Sequence, residues 1–317
     1  MLNYETIKEA QSRIEPYIKK TKLQKSVLFN DVDLYLKLEN QQLTNSFKLR
    51  GALSKMTTLT EEEIEKGIMT VSSGNHGAAV SYASNLLNIK SADVIVPKVT
   101  PESKINNIKQ YGANVLILGE DYDDAHQLGD AYLKEHGKTY IDAYYEDEAV
   151  YAGQGTIGLE IMEDASDVDV VLVPIGGGGL ITGIGTAIKG MNPNVEIIGV
   201  QTSACPAMIK AIEDNVFYDT YPIDETICDA LVGGIGKRAF EMHKEIIDMV
   251  IEVNEEDIFE ATQEVILNEN IIAEPSSSLY TLAIKKHKEI FKGKKVVAVI
   301  SGGNIDAGIL KKIKDGQ

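Results

Sequence analysis

The chain has little cysteine and no long apolar run, and both scarcities narrow the class of protein it can be. Only Cys205 and Cys228 occur in 317 residues, neither of them in a Cys-x-x-Cys pair or beside a histidine. A disulfide framework or a cysteine zinc site is therefore not expected, and a reducing cytoplasm is the expected location. No apolar run approaches the roughly 18 residues that a membrane span needs, and Met1 leads directly into polar, charged sequence. We expect a protein that is neither exported nor embedded in a membrane.

Positive charge is also scarce. The chain has 31 Lys and Arg residues against 48 Asp and Glu residues, which gives a formal net charge of −17. Nucleic acids and anionic membranes recruit proteins through basic surfaces, so neither is an expected partner. What is present is ordinary for a globular protein: 44% hydrophobic and 25% charged residues, over a length that suggests about two domains.

Short apolar runs alternate with helical patterns along most of the chain, which indicates parallel sheets covered by helices. An amphipathic helix opens the chain, with apolar Ile7, Ala10 and Ile14, and a strand is predicted at 33–38. The first repeating block predicts strands at 68–72, 93–96 and 114–118 and helices at 75–87, 101–111 and 123–135. The second block predicts strands at 168–174, 195–200 and 295–300 and helices at 180–189 and 255–268. This order of elements places the boundary between the blocks near Tyr144 and Tyr145.

Two loops carry polar side chains where a helix is predicted to begin. Thr44-Asn-Ser-Phe-Lys-Leu-Arg-Gly-Ala places Lys48 near the start of a helix, although a lone lysine is usually a surface cation. Ser72-Ser-Gly-Asn-His-Gly lies between a strand and a helix, where small residues let backbone amides approach a carboxylate closely. A plain helix cap with a tight turn would explain the second loop equally well.

Two further loops follow buried strands of the second block. Gly176-Gly-Gly-Gly directly precedes a helix, so consecutive backbone amides would converge on an anion such as a phosphate. It matches neither a nucleotide P-loop nor a dinucleotide-binding fingerprint. Ser301-Gly-Gly-Asn presents a hydroxyl at the end of a strand, which a strand-to-helix turn would also explain. Together the four loops offer an amine, a carboxylate nest, a phosphate nest and a neutral hydroxyl, which are the requirements of pyridoxal phosphate.

Five segments resemble, in order, the motifs of the threonine dehydratase and serine racemase family: Ser46-Phe-Lys-Leu-Arg-Gly-Ala, Ser72-Ser-Gly-Asn-His-Gly, Ala152-Gly-Gln-Gly-Thr, Val173-Pro-Ile-Gly-Gly-Gly-Gly-Leu and Ser301-Gly-Gly-Asn-Ile-Asp. The resemblance covers nearly the whole chain. It implies an α/β protein of the pyridoxal phosphate-dependent fold type II, shared with the tryptophan synthase β-subunit, in which two open, twisted, mostly parallel sheets are flanked by helices. Residues 1–60 and 146–317 are then expected to form a large cofactor-binding domain, and residues 61–145 a small mobile domain.

The resemblance also implies a role for each matching residue. Lys48 would carry pyridoxal 5′-phosphate as a Schiff base, with Phe47 against the cofactor ring. Asn75 would hydrogen-bond the 3′-oxygen of the ring, and Ser301 would face the pyridine nitrogen. The residues expected to bind the phosphate are Gly176, Gly177, Gly178, Gly179 and Leu180. Lys48 and Ser73 would be catalytic on opposite sides of the substrate, and the substrate-binding residues would be Ser72, Ser73, Gly74, Asn75 and His76.

The implied activity is the elimination of water and ammonia from L-threonine or L-serine, which gives 2-oxobutanoate or pyruvate. The Lys48 amine could remove the Cα proton as a base if burial and the cationic cofactor lower its pKa. A neutral Ser301 makes the ring a weaker electron sink than a carboxylate partner would, which favours prompt loss of a β-hydroxyl group. Because Ser73 could return a proton to the opposite face, a serine racemase or a bifunctional enzyme is the main alternative. A non-catalytic amino-acid-binding protein with the same fold is the alternative from another class.

Several positions depart from the family pattern. Gln201 stands where racemases have an acidic metal ligand, so magnesium binding there is not expected, although a monovalent ion could bind near Glu274. The segment Tyr144-Tyr-Glu-Asp-Glu gives no clear cofactor contact. The stretch 226–236 and Glu274-Pro-Ser-Ser-Ser replace the usual dehydratase sequences, including glycine and alanine in the second case. Another β-hydroxy amino acid, phenylserine-like or of the kind met in ectoine degradation, is therefore a further candidate substrate.

The remaining expectations concern the surface and the assembly. Four histidines stand singly on polar helical stretches and are expected at the surface: His126, His136, His243 and His287. The chain ends soon after the Ser301 motif, so no regulatory domain is expected. The fold implies a homodimer that acts on a small hydroxy amino acid.

Overall fold

The computed structural model describes residues 1–316, which form ten strands and fourteen α-helices. The strands are β1 (Leu23–Lys25), β2 (Asp33–Leu38), β3 (Ile68–Val71), β4 (Ala92–Val96), β5 (Asn114–Ile117), β6 (Thr139–Tyr140), β7 (Val170–Pro174), β8 (Glu196–Thr202), β9 (Met249–Val253) and β10 (Lys295–Ile300). The helices are α1 (Tyr4–Ile14), α2 (Lys48–Met56), α3 (Glu61–Lys66), α4 (Asn75–Leu86), α5 (Glu102–Lys109), α6 (Tyr122–His136), α7 (Glu148–Asp164), α8 (Gly179–Met191), α9 (Ala207–Asp214), α10 (Lys237–Ile246), α11 (Ile258–Asn268), α12 (Leu279–Lys286), α13 (Lys288–Phe291) and α14 (Ala307–Asp315).

The strands form two sheets. The larger sheet has the order β1-β2-β10-β7-β8-β9, and the smaller has the order β5-β4-β3-β6. Only the β1–β2 pair is antiparallel. The predicted α/β class with two mostly parallel sheets is therefore confirmed. Because β7 and β10 are parallel neighbours, the loops that follow them lie at the same edge of the larger sheet.

Most residues of helix α7 are buried, and its glycines let neighbouring helices approach closely. A Cβ on Gly153 would lie 2.4 Å from the Arg50 carbonyl oxygen on α2, and one on Gly155 would lie 2.9 Å from the Gly183 carbonyl oxygen on α8. Such spacing leaves no room for a side chain. The Ala152-Gly-Gln-Gly-Thr motif thus packs α7 against two helices: α2, which begins at Lys48, and α8, which follows the glycine loop.

The predicted strands and helices of both blocks are confirmed, with ends that differ by a few residues. The prediction for His243 is wrong, because this side chain is buried on α10. Ala239, His243 and Ile246 share one helical face, and the His243 ring lies 5.3 Å from that of Phe240. In the sequence, apolar residues stand four positions before His243 and three positions after it. This spacing was the available signal for burial.

Cysteine and long apolar runs, both scarce in the sequence, can also be followed in the structure. Cys205 and Cys228 are both buried, and neither is in a disulfide. Within residues 1–316, we find no helix that combines the length and the apolar character needed to cross a membrane.

Candidate active site

Lys48 is the first residue of α2, and the loop before it is tied to the end of β10. The Phe47 amide donates to the Ser301 carbonyl oxygen at 3.0 Å, and Ser46 forms an isolated bridge with Gly302. The Lys48 amine donates to the Ala143 carbonyl oxygen at 3.3 Å. Although the residue as a whole is partly exposed, burial of its amine lowers the pKa to about 8, against the opposing charges of Asp142 and Glu274. A larger fraction of neutral amine at neutral pH suits a base or a nucleophile.

The loop after β3 presents small residues to an open space. Ser72, Ser73, Gly74 and Asn75 are half-buried, and α4 begins at Asn75, where the first backbone amides have no partner within the helix. The buried His76 ring contacts the Ile141 carbonyl oxygen at 3.0 Å, and burial, with the Lys48 charge, lowers its pKa to about 4. His76 is therefore neutral, and its side chain is engaged away from the neighbouring serines.

Asn75 is held in one orientation by partners from the larger sheet. Its amide nitrogen donates to both carboxylate oxygens of Glu274 at 3.1 Å, and its amide oxygen accepts from Asn304 at 2.7 Å. These contacts fix the orientation of the amide, with its nitrogen toward Glu274 and its oxygen toward Asn304. Burial raises the pKa of Glu274 to about 7 in spite of the hydrogen bond from Asn75.

The glycine run links β7 to the N-terminus of α8. Gly178 has φ 89°, a left-handed conformation that favours glycine, and a Cβ there would lie 2.6 Å from Ala239. A Cβ on Gly177 would lie 2.1 Å from the Tyr144 ring. The amides that open α8, starting at Gly179 and the buried Leu180, have no partner within the helix, the arrangement in which a helix N-terminus can accept an anion.

Tyr144 lies between the glycine run and Lys48, and Asp142 lies two residues before it in the same loop. The Tyr144 ring centroid lies 5.4 Å from the Lys48 amine. The Asp142 carboxylate accepts hydrogen bonds from four successive backbone amides, those of residues 144–147, at 2.8–3.1 Å. These bonds hold the pKa of Asp142 below its usual value despite its burial. No role was predicted for either residue, and an aspartate just before a polar turn was the only signal for Asp142.

Ser301 follows β10 and is buried. Its hydroxyl lies 3.0 Å from the Ser277 hydroxyl, and either oxygen can be the donor. The groups predicted for pyridoxal phosphate are thus an amine, an amide donor, a helix N-terminus with its glycines and a neutral hydroxyl, all at the carboxyl ends of parallel strands. This donor set fits the cofactor, and the cradle at Gly178 has no space for a side chain.

A cavity of about 650 Å³ is lined by none of these predicted site residues and offers different chemistry. It is lined by Ser203, Glu225, Thr226, Ile227, Asn254, Glu255, Glu256 and Phe259. Its charged side chains are all carboxylates, which would repel an anionic cofactor. Among residues 1–316, no cluster of three or more His, Cys, Asp or Glu side chains is arranged to hold a metal ion.

Comparisons with known proteins agree with this chemistry. Residues 14–302 match the sequence profile of a family described as pyridoxal-phosphate dependent enzyme. The chain is 39% identical over 317 residues to a Thermotoga maritima protein named L-threonine ammonia-lyase, covering 99% of this chain and 78% of that protein. It is 41% identical over 308 residues to a Staphylococcus aureus protein named L-threonine dehydratase catabolic TdcB, covering 95% and 88%. A solved structure of serine racemase from Dictyostelium discoideum superposes with a TM-score of 0.88 and 35% identity, over 96% of this chain and 99% of that one. The resemblance first seen in five motifs is confirmed, and the chain belongs to the family of pyridoxal phosphate-dependent enzymes.

Proposed function

We propose that this protein is a dehydratase of L-threonine and L-serine that releases 2-oxobutanoate or pyruvate together with ammonia. The observation that carries the proposal is the Lys48 amine, whose pKa burial lowers to about 8. It lies 5.4 Å from the centre of the Tyr144 ring, and the loop before Lys48 is hydrogen-bonded to Ser301. The names of the Thermotoga and Staphylococcus relatives support the same reaction and the same amino acid.

Pyridoxal phosphate, when bound, supplies the electron sink that weakens the Cα–H bond of an attached amino acid. In the proposal, the α8 amides from Gly179 onward hold its phosphate, and Ser301 and Asn75 hold its ring. The neutral Lys48 amine takes the Cα proton. The amides at the start of α4 bind the substrate carboxylate, because an anion is stabilised by unpaired N–H groups at a helix N-terminus.

Ser73 provides the second candidate function, racemisation. It is half-buried, and within residues 1–316 its hydroxyl makes no hydrogen bond, so in this alternative it would return a proton to the opposite face of the substrate. The serine racemase of Dictyostelium discoideum, at 35% identity, supports this alternative. Incubation with L-serine separates the two functions: mostly pyruvate supports the dehydratase, and mostly D-serine supports the racemase.

Three further properties belong to the same proposal. Residues 61–145 form a small mobile domain over a large domain of residues 1–60 and 146–317, in keeping with the smaller sheet lying between residues 68 and 140. The protein acts in the cytoplasm as a homodimer. Light scattering of the purified protein tests the dimer, and a mass of one chain would contradict it.

The experiment that tests the function is a keto-acid assay over a panel of β-hydroxy amino acids. Wild-type protein loaded with pyridoxal phosphate is expected to convert L-threonine and L-serine fastest. Lys48→Ala should reduce the rate by about 10²–10⁴-fold or more, because general-base catalysis alone contributes that much. Lys55→Ala is the matched control, since Lys55 lies on the same helix but pairs with Asp147 at 2.8 Å. Full activity of Lys48→Ala would contradict the proposal.

A further inference from the structure

Ser277 contacts the hydroxyl that is predicted to face the cofactor ring. The Ser277 and Ser301 hydroxyl oxygens lie 3.0 Å apart, and both side chains are buried. The Gly302 amide donates to the Ser277 hydroxyl at 2.9 Å, and the Gly302 carbonyl oxygen lies 3.0 Å from the same hydroxyl. Ser277 therefore touches Ser301 and both backbone groups of Gly302.

Each hydroxyl has one hydrogen to donate. If Ser277 donates to the Gly302 carbonyl oxygen while Ser301 points into the site, the two serine oxygens lie 3.0 Å apart with no hydrogen between them, and their lone pairs repel. Two arrangements place a hydrogen between these oxygens. In the first, Ser277 donates to Ser301, and the Ser301 hydrogen is free to point into the site. In the second, Ser301 donates to Ser277, which donates to the Gly302 carbonyl oxygen. Only lone pairs of Ser301 then face the site. The heavy atoms are the same in both arrangements, so the choice depends on the group that Ser301 meets.

A ring nitrogen without a proton can only accept, and it therefore selects the first arrangement. Neither serine carries a charge that would stabilise a protonated ring. The Glu274 carboxylate lies close to Gly302, and both of its oxygens accept from Asn75. A hydroxyl that accepts one hydrogen bond is also a stronger donor of the next, because the two bonds polarise each other.

We propose that Ser277 is a positioning residue that donates its proton to Ser301 and thereby directs the Ser301 proton to the ring nitrogen of the cofactor. This inference rests on the proposed function, which places that nitrogen at Ser301. It explains how a neutral contact keeps the ring unprotonated, the state that favours loss of a β-hydroxyl group. Binding of the cofactor then reorients two hydroxyl hydrogens while the surrounding backbone stays in place.

The test uses the loaded protein with cofactor labelled by ¹⁵N in the ring, and it measures the ¹⁵N NMR shift and the dissociation constant of the cofactor. The wild-type shift is expected to be that of an unprotonated, hydrogen-bonded ring nitrogen. Ser277→Ala should move the shift toward that of a nitrogen without a hydrogen bond and weaken cofactor binding by about three- to tenfold. Ser277→Cys keeps the size and a weaker donor, so it should give an intermediate shift and serves if the alanine variant does not fold.

Two controls separate the possible failures. Ser278→Ala makes the same change one residue away, at a buried hydroxyl that has no hydrogen-bond partner within residues 1–316, and should leave the shift unchanged. Ser301→Ala should move the shift at least as far as Ser277→Ala. A protonated wild-type nitrogen, or a shift that moves in Ser301→Ala but not in the Ser277 variants, would overturn the role of Ser277 alone. No cofactor binding, or no effect of Ser301→Ala, would overturn the placement of the cofactor and this inference with it.

Discussion

The two sheets contribute differently to the site. The larger sheet supplies buried groups with several partners each: Ser301 contacts Ser277 and Phe47, and Gly178 is packed against Ala239. The smaller sheet supplies half-buried residues in front of open space, and a Cβ on Gly74 would meet no atom within 4 Å. The difference suggests that the larger sheet holds the cofactor in fixed positions, whereas the smaller sheet leaves room for a substrate to enter and leave.

The largest effect is expected from Arg50→Ala, which removes the buried ion pairs of the helix that begins at Lys48. Arg50 is fully buried two residues after Lys48 and pairs with Glu39 at 2.8 Å and Glu160 at 2.7 Å. Its loss leaves two buried carboxylates short of a partner and should cost about 3–5 kcal/mol of unfolding free energy. Urea denaturation measures this cost.

The control for Arg50 is an arginine whose ion pairs are partly exposed to solvent. Arg238→Ala, which breaks pairs with Glu148 and Glu241, should cost only about 0–1 kcal/mol. Equal costs for the two variants would show that the buried network does not stabilise α2.

A pair of glycine substitutions compares the two parts of the site directly. Gly178→Ala forces a side chain into a left-handed conformation and against Ala239, so we expect a loss of about 1–2 kcal/mol and weaker cofactor binding. Gly74→Ala should leave cofactor binding unchanged and affect mainly the KM for the amino acid. Fluorescence titration with the cofactor measures the first effect and steady-state kinetics the second. Weaker cofactor binding in Gly74→Ala alone would reverse the assignment of the two loops.

Asn304 connects the two parts, and removing it should have a smaller effect. Its amide nitrogen donates to Asn75 at 2.7 Å and to the Thr44 carbonyl oxygen at 3.0 Å. Asn304→Ala removes the hydrogen bond to the Asn75 oxygen and leaves only Glu274 to orient this side chain, so cofactor affinity should fall by about three- to tenfold, the value of one net hydrogen bond. Asn194→Ala, at an exposed loop, is the control. Unchanged cofactor affinity in Asn304→Ala would show that cofactor binding does not depend on the hydrogen bond from Asn304 to Asn75.

The smallest expected effect is a shift in the titration of Lys48. Its pKa is lowered to about 8, so labelling of its amine in cofactor-free protein should rise with pH around a midpoint near 8. The Asp142 charge opposes this lowering, and Asp142→Asn should therefore move the midpoint to lower pH. Mass spectrometry of the labelled peptide measures the midpoint, with Asp147→Asn as the control. A midpoint that moves to higher pH in Asp142→Asn contradicts the stated role of this carboxylate.

Local patterns were sufficient to predict the sheets, most helices and the four loops, because strand alternation, glycine runs and helix starts are encoded by neighbouring residues. Burial of polar groups was not predictable in the same way. Alternation in β2 suggests that Lys37 faces solvent, yet it is fully buried against Glu160, a residue 123 positions away. Asn75 and Glu274 are likewise 199 positions apart. Contacts of this kind depend on how the two sheets are placed, which no local pattern records.

The central claim, that Lys48 holds the cofactor, is tested most directly by reducing the loaded protein with borohydride and mapping the modified peptide by mass spectrometry. The phosphopyridoxyl group is expected on Lys48 and on no other lysine. A modified lysine elsewhere, or a wild-type protein that binds the cofactor without becoming labelled, would contradict the claim.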